Sequence, residues 1–397
     1  MKHFLPKEAI HLLWQEKLMQ LAPRLEIHAS DAHRWLKGDL KDDLGLDSLE
    51  VFELAAYFHS VFHLMSGPIS QYLLQYRRAE EWLDAIEEGA NDWNRPMTFF
   101  TSGSTGTPKG CNHDKKYLMQ EIEAWNHLLQ PKGTFWRAVS PLHMYGFIFS
   151  VLLPYHIGSG VLDIRRVHIK QIHSLAKETD WVIGFPLFFQ SWIRAGVQFP
   201  QKLHAISSTA PLPPILDHQM TDSGLKVMEI YGSSETGGVG YRVSPEKDFC
   251  LLPHWVRAEG EIVRYHPQRK PLYYPLSDQV AWEDRRFTVL GRKDHAVQVG
   301  GINVFPDQIA RQIEKLEGVG KCWVRKMRSG EGERLKCWIV PEPSQTQASV
   351  LKKTCYQWIE NHLPVAERPR HIIVSTQPPL DAMGKSRDWS IFQIPTL

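Results

Sequence analysis

The spacing of apolar residues predicts a chain in which helices and strands are mixed from one end to the other. Between residues 9 and 21, apolar side chains recur every three or four positions, as they do on the buried face of a helix. The same spacing predicts further helices at residues 118–129, 309–316 and 350–363. Alternating or continuous apolar runs predict strands at residues 98–100, 181–189, 322–327 and 335–340. Together these patterns indicate an α/β protein.

The stretch from residue 42 to residue 62 predicts a capped helix with an exposed serine in its first turn. Asp47 is a good N-cap, and Glu50 stands three residues later, as in a capping box. The apolar stripe of this helix is predicted to be Leu49, Phe52, Ala56, Phe58 and Phe62. Ser48 is then expected at the positive end of the helix, a position that favours a phosphodiester.

The L-G-L-D-S-L run in this stretch resembles acyl carrier proteins, in which the serine of D-S-L carries 4'-phosphopantetheine. A later helix at residues 77–88 stands where that family has its last helix. The resemblance implies a small helical carrier-like bundle over residues 1–90, with Ser48 as the candidate attachment residue. The alternative interpretation is an ordinary capped helix, in which a carrier-like fold serves only for docking or structure.

Residues 98–110 combine a short strand with a loop rich in hydroxyls and glycines. Glycine lets backbone N–H groups approach an anion, and hydroxyls add donors, so the loop is suited to a polyphosphate. The candidate phosphate-binding residues are Thr101, Ser102, Gly103, Ser104, Thr105, Gly106 and Lys109. The Walker pattern is excluded, because Pro108 stands five residues after Gly103, where that pattern requires its second glycine.

This loop resembles the phosphate loop of the adenylate-forming superfamily, which contains acyl-CoA synthetases, carrier-protein adenylation domains and luciferases. Three further motifs follow in the family's order, at residues 227–238, at residues 274–294 and at the C-terminal P-P-L-D-A-M-G-K-S-R-D-W. The resemblance implies ATP and Mg²⁺ as cofactors and an adenylate-forming core followed by a small mobile α+β lid. The implied domains are a carrier-like region at 1–90, a truncated adenylation core at 97–293 and a lid at 294–397.

The resemblance also assigns nucleotide-binding roles. Tyr231 would stack on adenine beside Gly232 and Ser233, and Ser234 would reach the α-phosphate. Magnesium would be held by Glu235 with Thr105, since a hard cation prefers oxygen ligands. The ribose hydroxyls would be bound by Asp278, and Arg292 would contact ribose or phosphate. The turn that passes adenine and the acyl group would contain Thr209, Ala210 and Pro211.

On the acyl and thiol side, His143 would lie beside the substrate carboxylate. Amino-acid-activating relatives carry an aspartate there, so histidine favours an acid without an α-amino group. Lys385 matches the catalytic lysine, Asp294 the hinge of the lid, and Gly300 with Gly301 the loop that lines the pantetheine tunnel. The aromatic residues Phe185, Phe188 and Phe189 are candidates for the acyl pocket, although such residues more often belong to the core.

The predicted function is ATP-dependent adenylation of a carboxylic acid, followed by transfer to the phosphopantetheine thiol of an acyl carrier protein. A truncated core behind a carrier-like region resembles the aryl-acid ligases of aryl polyene pathways, which implies an aromatic acid such as a hydroxybenzoate. Two alternatives stay open: a ligase that releases acyl-CoA, and a non-catalytic nucleotide-binding docking protein. The specific acid, the acceptor thiol, the modification of Ser48 and the oligomeric state are not determined by the sequence.

The composition of the chain argues against several classes of protein. A formal net charge of +2 gives no electrostatic case for nucleic-acid binding. Five scattered cysteines fit a reducing cytoplasm better than a disulfide framework. The longest apolar run, residues 147–153, is too short to span a bilayer, and the first residues lack the apolar core of a signal peptide. We therefore expect a cytoplasmic protein, and the shortened adenylation core indicates that it is either compact or supported by a homodimer.

Overall fold

The structure is a computed structural model. It describes residues 3–25, 32–68, 72–101, 109–167, 171–172, 175–196, 199, 203–267, 269–293, 296–328, 330–342, 348–379 and 388–392. The chain divides into two compact units. The first comprises residues 1–101, 108–276 and 282–288, and the second comprises residues 102–107, 277–281 and 289–397. In the described part of the chain, no helix is both long and apolar enough to cross a bilayer.

Among the described residues, four α-helices precede the first strand: α1 Lys7–Leu21, α2 Ala32–Lys37, α3 Ser48–Phe62 and α4 Ala79–Ala90. The capping box predicted for α3 is confirmed, because Asp47 accepts from the Glu50 N–H and Glu50 accepts from the Asp47 N–H. The predicted apolar stripe of α3 is wrong in part. Phe58 and Phe62 are buried, but Leu49 and Phe52 are 65% and 58% exposed, and Ala56 is exposed. The buried face of α3 is completed instead by Leu54, Ala55 and Val61.

The largest sheet of the described residues has nine strands, which follow one another in space from β4 at one edge to β13 at the other. Its parallel part consists of β4 Val161–Asp163, β3 Phe135–Arg137, β5 Trp181–Gly184, β6 Leu203–Ser207 and β7 Leu225–Ser233. Its antiparallel part continues with β8 Gly237–Val243, β9 Phe249–Leu251, β14 Arg286–Arg292 and β13 Asp278–Glu283. The outer parts of β13 and β14 belong to the second unit.

Further helices of the first unit follow the strands: α5 Lys115–Leu129, α6 Met144–Phe147, α7 Leu153–Ile157, α8 Pro186–Arg194 and α9 Pro214–Asp222. A π-helical turn, Ile148–Leu152, joins α6 to α7. The strand predicted for residues 181–189 is wrong after Gly184, because Phe185 caps α8 and Pro186 occupies its first turn. Proline is favoured there, since the first helical N–H has no intrahelical partner.

The described residues of the first unit also form two smaller sheets. One is the hairpin of β1 Met97–Thr101 and β2 Lys109–His113, and the other consists of β10 Trp255–Ala258, β11 Glu261–His266 and β12 Arg269–Pro275. The apolar core beneath the parallel strands joins α8 and α9 to the sheet through Phe189, Trp192, Leu216 and Met220. Because these strands are parallel, the segments that follow them all begin at the same edge of the sheet.

The second unit is a small α+β assembly. Its elements are β15 Val297–Val299, β16 Ile302–Val304, α10 Pro306–Ile313, β17 Val319–Lys326, β18 Leu335–Pro341, α11 Ala348–His362 and β19 Pro369–Val374. Strands β17, β18 and β19 form one sheet, and both helices contribute to its core through Ile309, Ile313, Leu351 and Ile359. A mixed α/β fold with a small C-terminal α+β part is thus confirmed. The boundaries at 90, 97 and 294 stay predictions.

Candidate active site

The predicted phosphate loop joins the two strands of the β1–β2 hairpin. Thr101 is paired with Lys109 across the hairpin, so the two ends of the loop lie side by side. The loop itself, with Ser102, Gly103, Ser104, Thr105 and Gly106, lies outside the described residues, as does the side chain of Thr101. Lys109 opens β2 and is exposed. The hairpin thus places the only lysine of the motif at the base of the loop.

The predicted metal ligand meets the end of the phosphate loop. Glu235 lies in the turn between β7 and β8, and its Oε1 is 3.6 Å from Lys109 Nζ. The carboxylate is 46% exposed, so it is accessible to a ligand. Carboxylate oxygen is a donor that Mg²⁺ prefers, and the cation keeps several ligands from water and phosphate. The residues of this turn therefore fit a magnesium–nucleotide complex.

The predicted adenine and α-phosphate residues lead into the same turn. Tyr231 is half-buried, and its ring lies 5.3 Å from Phe287 and 5.8 Å from Phe249 between ring centroids. Gly232 allows the backbone of β7 to approach that of Gly237 closely, because a Cβ at position 232 would stand 2.2 Å from the Gly237 carbonyl oxygen. Ser233 is exposed, and its Oγ accepts from the Glu235 N–H at 3.2 Å. The described part of the nucleotide motif is therefore continuous and ordered by its own hydrogen bonds.

Sequence reasoning missed three buried side chains around this turn: His113, Glu121 and Arg264. His113 ends the strand that Lys109 begins, and Glu121 lies on the buried face of α5 between apolar neighbours. The available signal was a carboxylate in an apolar helical stripe, since charged side chains are seldom fully buried without a partner. Burial lowers the pKa of His113 to about 4 and raises the pKa of Glu121.

His143 lies on the acyl side of the predicted site, immediately before α6. The residue is exposed to solvent. Two residues later, the Tyr145 hydroxyl lies 3.0 Å from the Gly184 carbonyl oxygen and 2.8 Å from that of Ile206. These carbonyls belong to β5 and β6, so Tyr145 fixes the His143 segment against the carboxyl ends of the parallel strands.

The turn that carries Thr209, Ala210 and Pro211 follows β6 at the same edge. Thr209 has a φ of 73°, a left-handed conformation that is unusual for a β-branched residue. Ser208 Oγ donates to the Ile230 carbonyl at 2.9 Å, and the Leu212 N–H donates to Glu229 at 2.7 Å. Both partners lie on β7, so this turn is tied to the strand that leads into the nucleotide motif.

The second unit places two of the predicted residues together. Asp278 Oδ1 lies 3.7 Å from Arg292 Nε, and both side chains are largely buried. Gly300 and Gly301 form the two-residue turn of the β15–β16 hairpin, with φ values of 61° and 82°. Positive φ at both positions is the requirement of a type I′ turn, which glycine meets without strain. Asp294 and Lys385 lie outside the described residues.

Ser48 is the first residue of α3 and is exposed. Lys41 Nζ donates to its hydroxyl at 3.1 Å. The position of Ser48 in the first turn is therefore confirmed, and its modification stays a prediction. In the part of the chain that the structure describes, no group of three or more His, Cys, Asp or Glu residues has the arrangement of a metal site.

Comparison with known proteins identifies the family to which this chain is similar. Residues 58–255 match the profile of a family described as AMP-binding enzymes. A 4-coumarate–CoA ligase of Halorhodospira halophila is 35% identical over 85% of this chain and 87% of its own length. A 3,4-dihydroxybenzoate–[aryl-carrier protein] ligase of Bacillus anthracis is 25% identical over 72% of this chain and 71% of its own length.

The same fold occurs among solved structures. An o-succinylbenzoate CoA synthetase of Bacillus subtilis superimposes with a TM-score of 0.58 over 73% of this chain and 67% of its own, at 16% identity. At this identity the likeness establishes the fold. The match to the Halorhodospira ligase extends over 344 residues, whereas residues 97–397 number 301, so it reaches into the N-terminal helices.

Proposed function

The chain belongs to the AMP-binding enzyme family of adenylate-forming ligases, and from this premise we propose that it joins an aromatic carboxylic acid to a phosphopantetheine thiol. The observation that supports the ATP-dependent step of the proposal is the approach of Lys109 to Glu235 at the base of the phosphate loop. It brings a cation for phosphate and a ligand for magnesium to one place. Family membership makes the chain a ligase, and the acid and acceptor are the proposed part.

In the first step, a carboxylate oxygen of the acid attacks the α-phosphorus of ATP. A bond forms between this oxygen and the α-phosphorus, the bond from the α-phosphorus to the oxygen that bridges to the β-phosphate breaks, and pyrophosphate leaves with that electron pair. Lys109 holds the phosphates, and Glu235 with Thr105 would hold Mg²⁺, which supplies positive charge to the phosphate oxygens. No side chain forms a covalent intermediate, so catalysis consists of positioning and electrostatic stabilisation.

The acid is proposed to be aromatic. Two of the relatives are named for 4-coumarate and 3,4-dihydroxybenzoate, and both of these acids contain an aromatic ring. Phe185 and Phe188 are half-buried at the start of α8, directly after the carboxyl end of β5. An aromatic wall there suits a flat substrate. His143, in place of an aspartate, gives no anionic partner to an α-ammonium group.

For the second step, we propose a carrier-protein thiol as the acceptor, and CoA is the second candidate. The thiolate attacks the acyl carbon of the adenylate, a thioester forms, and AMP leaves. The Bacillus anthracis relative is named for a carrier protein, and the Halorhodospira relative, which is more similar, is named for CoA. A thioester assay with CoA and with a phosphopantetheinylated carrier, each supplied with the same acyl-adenylate, separates the two.

Ser48 is a candidate for carrying phosphopantetheine in this chain itself. Its exposed hydroxyl at the start of α3 meets the steric need of a modifying enzyme. Intact mass after incubation with a phosphopantetheinyl transferase and CoA tests this. A mass gain in the wild type that is lost in Ser48→Ala supports the modification, and no gain in the wild type excludes it. The predicted homodimer and cytoplasmic location also stay predictions.

The central experiment is ATP–pyrophosphate exchange against aryl, fatty and amino acids. We expect exchange with aryl acids and none with amino acids. Lys385→Ala should lower exchange by about 10²–10³-fold, the loss typical of one donor that stabilises a transition-state charge. Lys353→Ala, an exposed lysine of α11, is the matched control and should keep wild-type exchange. Wild-type exchange in Lys385→Ala would contradict the assigned role.

A further inference from the structure

The backbone of the turn that carries Glu235 is held from beneath by buried side chains of three other elements. The contacts fall on alternate residues, Ser234 and Thr236 of the turn and Gly238 at the start of β8. The side chains that make them come from β2, α5 and β11 and are His113, Glu121 and Arg264. Each of the three is at most 4% exposed, so these contacts are shielded from water.

His113 holds the residue immediately before Glu235. Its Nε2 lies 2.6 Å from the carbonyl oxygen of Ser234. A carbonyl oxygen only accepts, so Nε2 carries the proton and donates. Because His113 and Lys109 are the two ends of β2, this strand touches the turn twice, at the backbone of Ser234 and at the carboxylate of Glu235.

Arg264 holds the residue immediately after Glu235. Its Nη1 donates to the Thr236 carbonyl at 3.2 Å, and its guanidinium lies 5.3 Å from the ring centroids of both Tyr117 and Trp255. Such a cation between two aromatic faces has little rotational freedom. The carbonyl of Thr236 is therefore bound to a rigid donor.

Glu121 completes the set. Its Oε1 accepts from the Gly238 N–H at 2.9 Å, and its Oε2 lies 4.0 Å from Arg264 Nη2. The turn is shaped to admit this carboxylate, because a Cβ at Gly237 would stand 2.3 Å from Oε2 and one at Gly238 would stand 2.8 Å from Oε1. The two glycines are thus explained by a close approach of a side chain from inside the protein.

We propose that His113, Glu121 and Arg264 are positioning residues, which fix the direction of the Glu235 carboxylate by holding the backbone on both sides of it. The proposal rests on the proposed function, in which Glu235 binds magnesium with the nucleotide. Without these contacts the Glu235 side chain, which is exposed, has only Lys109 among the described ion-pair partners to orient it. The three residues therefore act on metal affinity through the backbone and do not touch the metal.

Substitutions at His113 test the proposal with least risk to folding, because Glu121 and Arg264 form a buried ion pair. His113→Leu removes the donor, and His113→Gln keeps an N–H group that reaches the Ser234 carbonyl. His204→Leu is the matched control, since it removes an imidazole that stacks on Trp181 at the opposite, amino end of the parallel strands. Electron paramagnetic resonance measures Mn²⁺ affinity in the presence of a non-hydrolysable ATP analogue.

We expect the Mn²⁺ dissociation constant to rise by about tenfold or more in His113→Leu, the range for residues that orient a metal ligand. His113→Gln should recover most of this loss, and His204→Leu should match the wild type. Nucleotide affinity measured without metal should be equal in all four proteins. Amide hydrogen exchange at residues 234–238 should increase in His113→Leu only.

Three results would overturn the proposal. The first is an equal Mn²⁺ affinity in His113→Leu and His204→Leu. The second is a loss of metal-free nucleotide affinity in His113→Leu that is as large as its loss of Mn²⁺ affinity. The third is nucleotide binding by the wild type that does not depend on metal. Failure of the proposed function gives a different result. In that case wild-type protein shows no acid-dependent pyrophosphate exchange, while the Mn²⁺ affinities still follow the order expected for positioning.

Discussion

Removal of Glu16 tests whether the N-terminal helices are part of the catalytic core. Glu16 lies on α1, and its two carboxylate oxygens accept from Arg165 at 2.6 and 2.7 Å. Arg137, at the end of β3, lies 3.5 Å from the same carboxylate and 2.7 Å from Asp163. The side chains of Glu16 and Arg137 are 8% and 4% exposed, so the network joins α1 to the carboxyl ends of β3 and β4 through a contact whose inner part is buried.

The magnitude follows from burial. Removal of one partner from a buried ion pair typically costs 3–5 kcal/mol, because the remaining charge stays desolvated. Asp163 still faces both arginines in Glu16→Ala, so we expect the lower end, about 3 kcal/mol. Asp84→Ala is the control, since Asp84 of α4 pairs at 3.3 Å with Lys7, which lies on α1 like Glu16, but Asp84 is 69% exposed. An exposed pair contributes less than about 1 kcal/mol.

Urea unfolding, followed by tryptophan fluorescence, measures both variants. For Glu16→Ala we expect a lower midpoint for the whole first unit, equivalent to a fall in Tm of about 6 °C or more. For Asp84→Ala the midpoint should change little. Equal midpoints for the two variants would refute the reasoning, and so would a separate early transition of the N-terminal helices with an unchanged transition of the core.

Three further outcomes are expected. Gly237→Ala should destabilise the protein more than Gly158→Ala in thermal unfolding: both glycines have a φ of 72°, but only at Gly237 does a Cβ meet Glu121. His254 is buried, with a pKa lowered by burial to about 2, so only the unfolded chain takes up its proton as the pH falls below 6.5. The stability that neutral His254 contributes is therefore lost as the pH falls from 6.5 to about 2. Between pH 7 and pH 5, the free energy of unfolding from urea titrations should fall by about 2 kcal/mol less in His254→Leu than in the wild type. Gly301→Ala strains the type I′ turn and should slow thioester formation more than pyrophosphate exchange, and equal slowing in the two assays would argue against the thiol-tunnel role.

The local spacing of apolar residues was sufficient to predict the helices and strands whose buried face is continuous. Helices α5 and α11 and strands β17 and β18 occur where apolar spacing predicts them. The strand predicted to end at Phe189 failed because a short apolar run fits a strand and a buried helix equally well. Here Pro186 decided the outcome, since it pre-sets the first turn of α8. Pro186 therefore carried the information, but the apolar run around it concealed it.

The site was predictable in its contiguous motifs and not in its supporting contacts. The approach of Lys109 to Glu235 joins two motifs whose family order was visible in the sequence. The contacts of Glu121 and Arg264 join residues 117 and 28 positions away from the backbone atoms that they hold. Nothing in a local pattern specifies such pairs, because they arise only when α5, β8 and β11 pack together. A buried carboxylate in an apolar stripe marks the existence of a partner, but not its identity.

The exposed stripe of α3 bears on the role of the first ninety residues. Phe58 and Phe62 face a small cavity that is also lined by Leu13 of α1, by Met97 of β1 and by Leu142, next to His143. The inner face of α3 is thus packed against the acyl side of the predicted site, and the AMP-binding match begins within this helix, at residue 58. Only the outer side, with Ser48, Leu49 and Phe52, stays open. A carrier that leaves the core to deliver its thiol has to expose this inner face, which costs the free energy of burying those side chains. If Ser48 carries phosphopantetheine, the cheaper course is for the flexible arm alone to move, with α3 remaining in place.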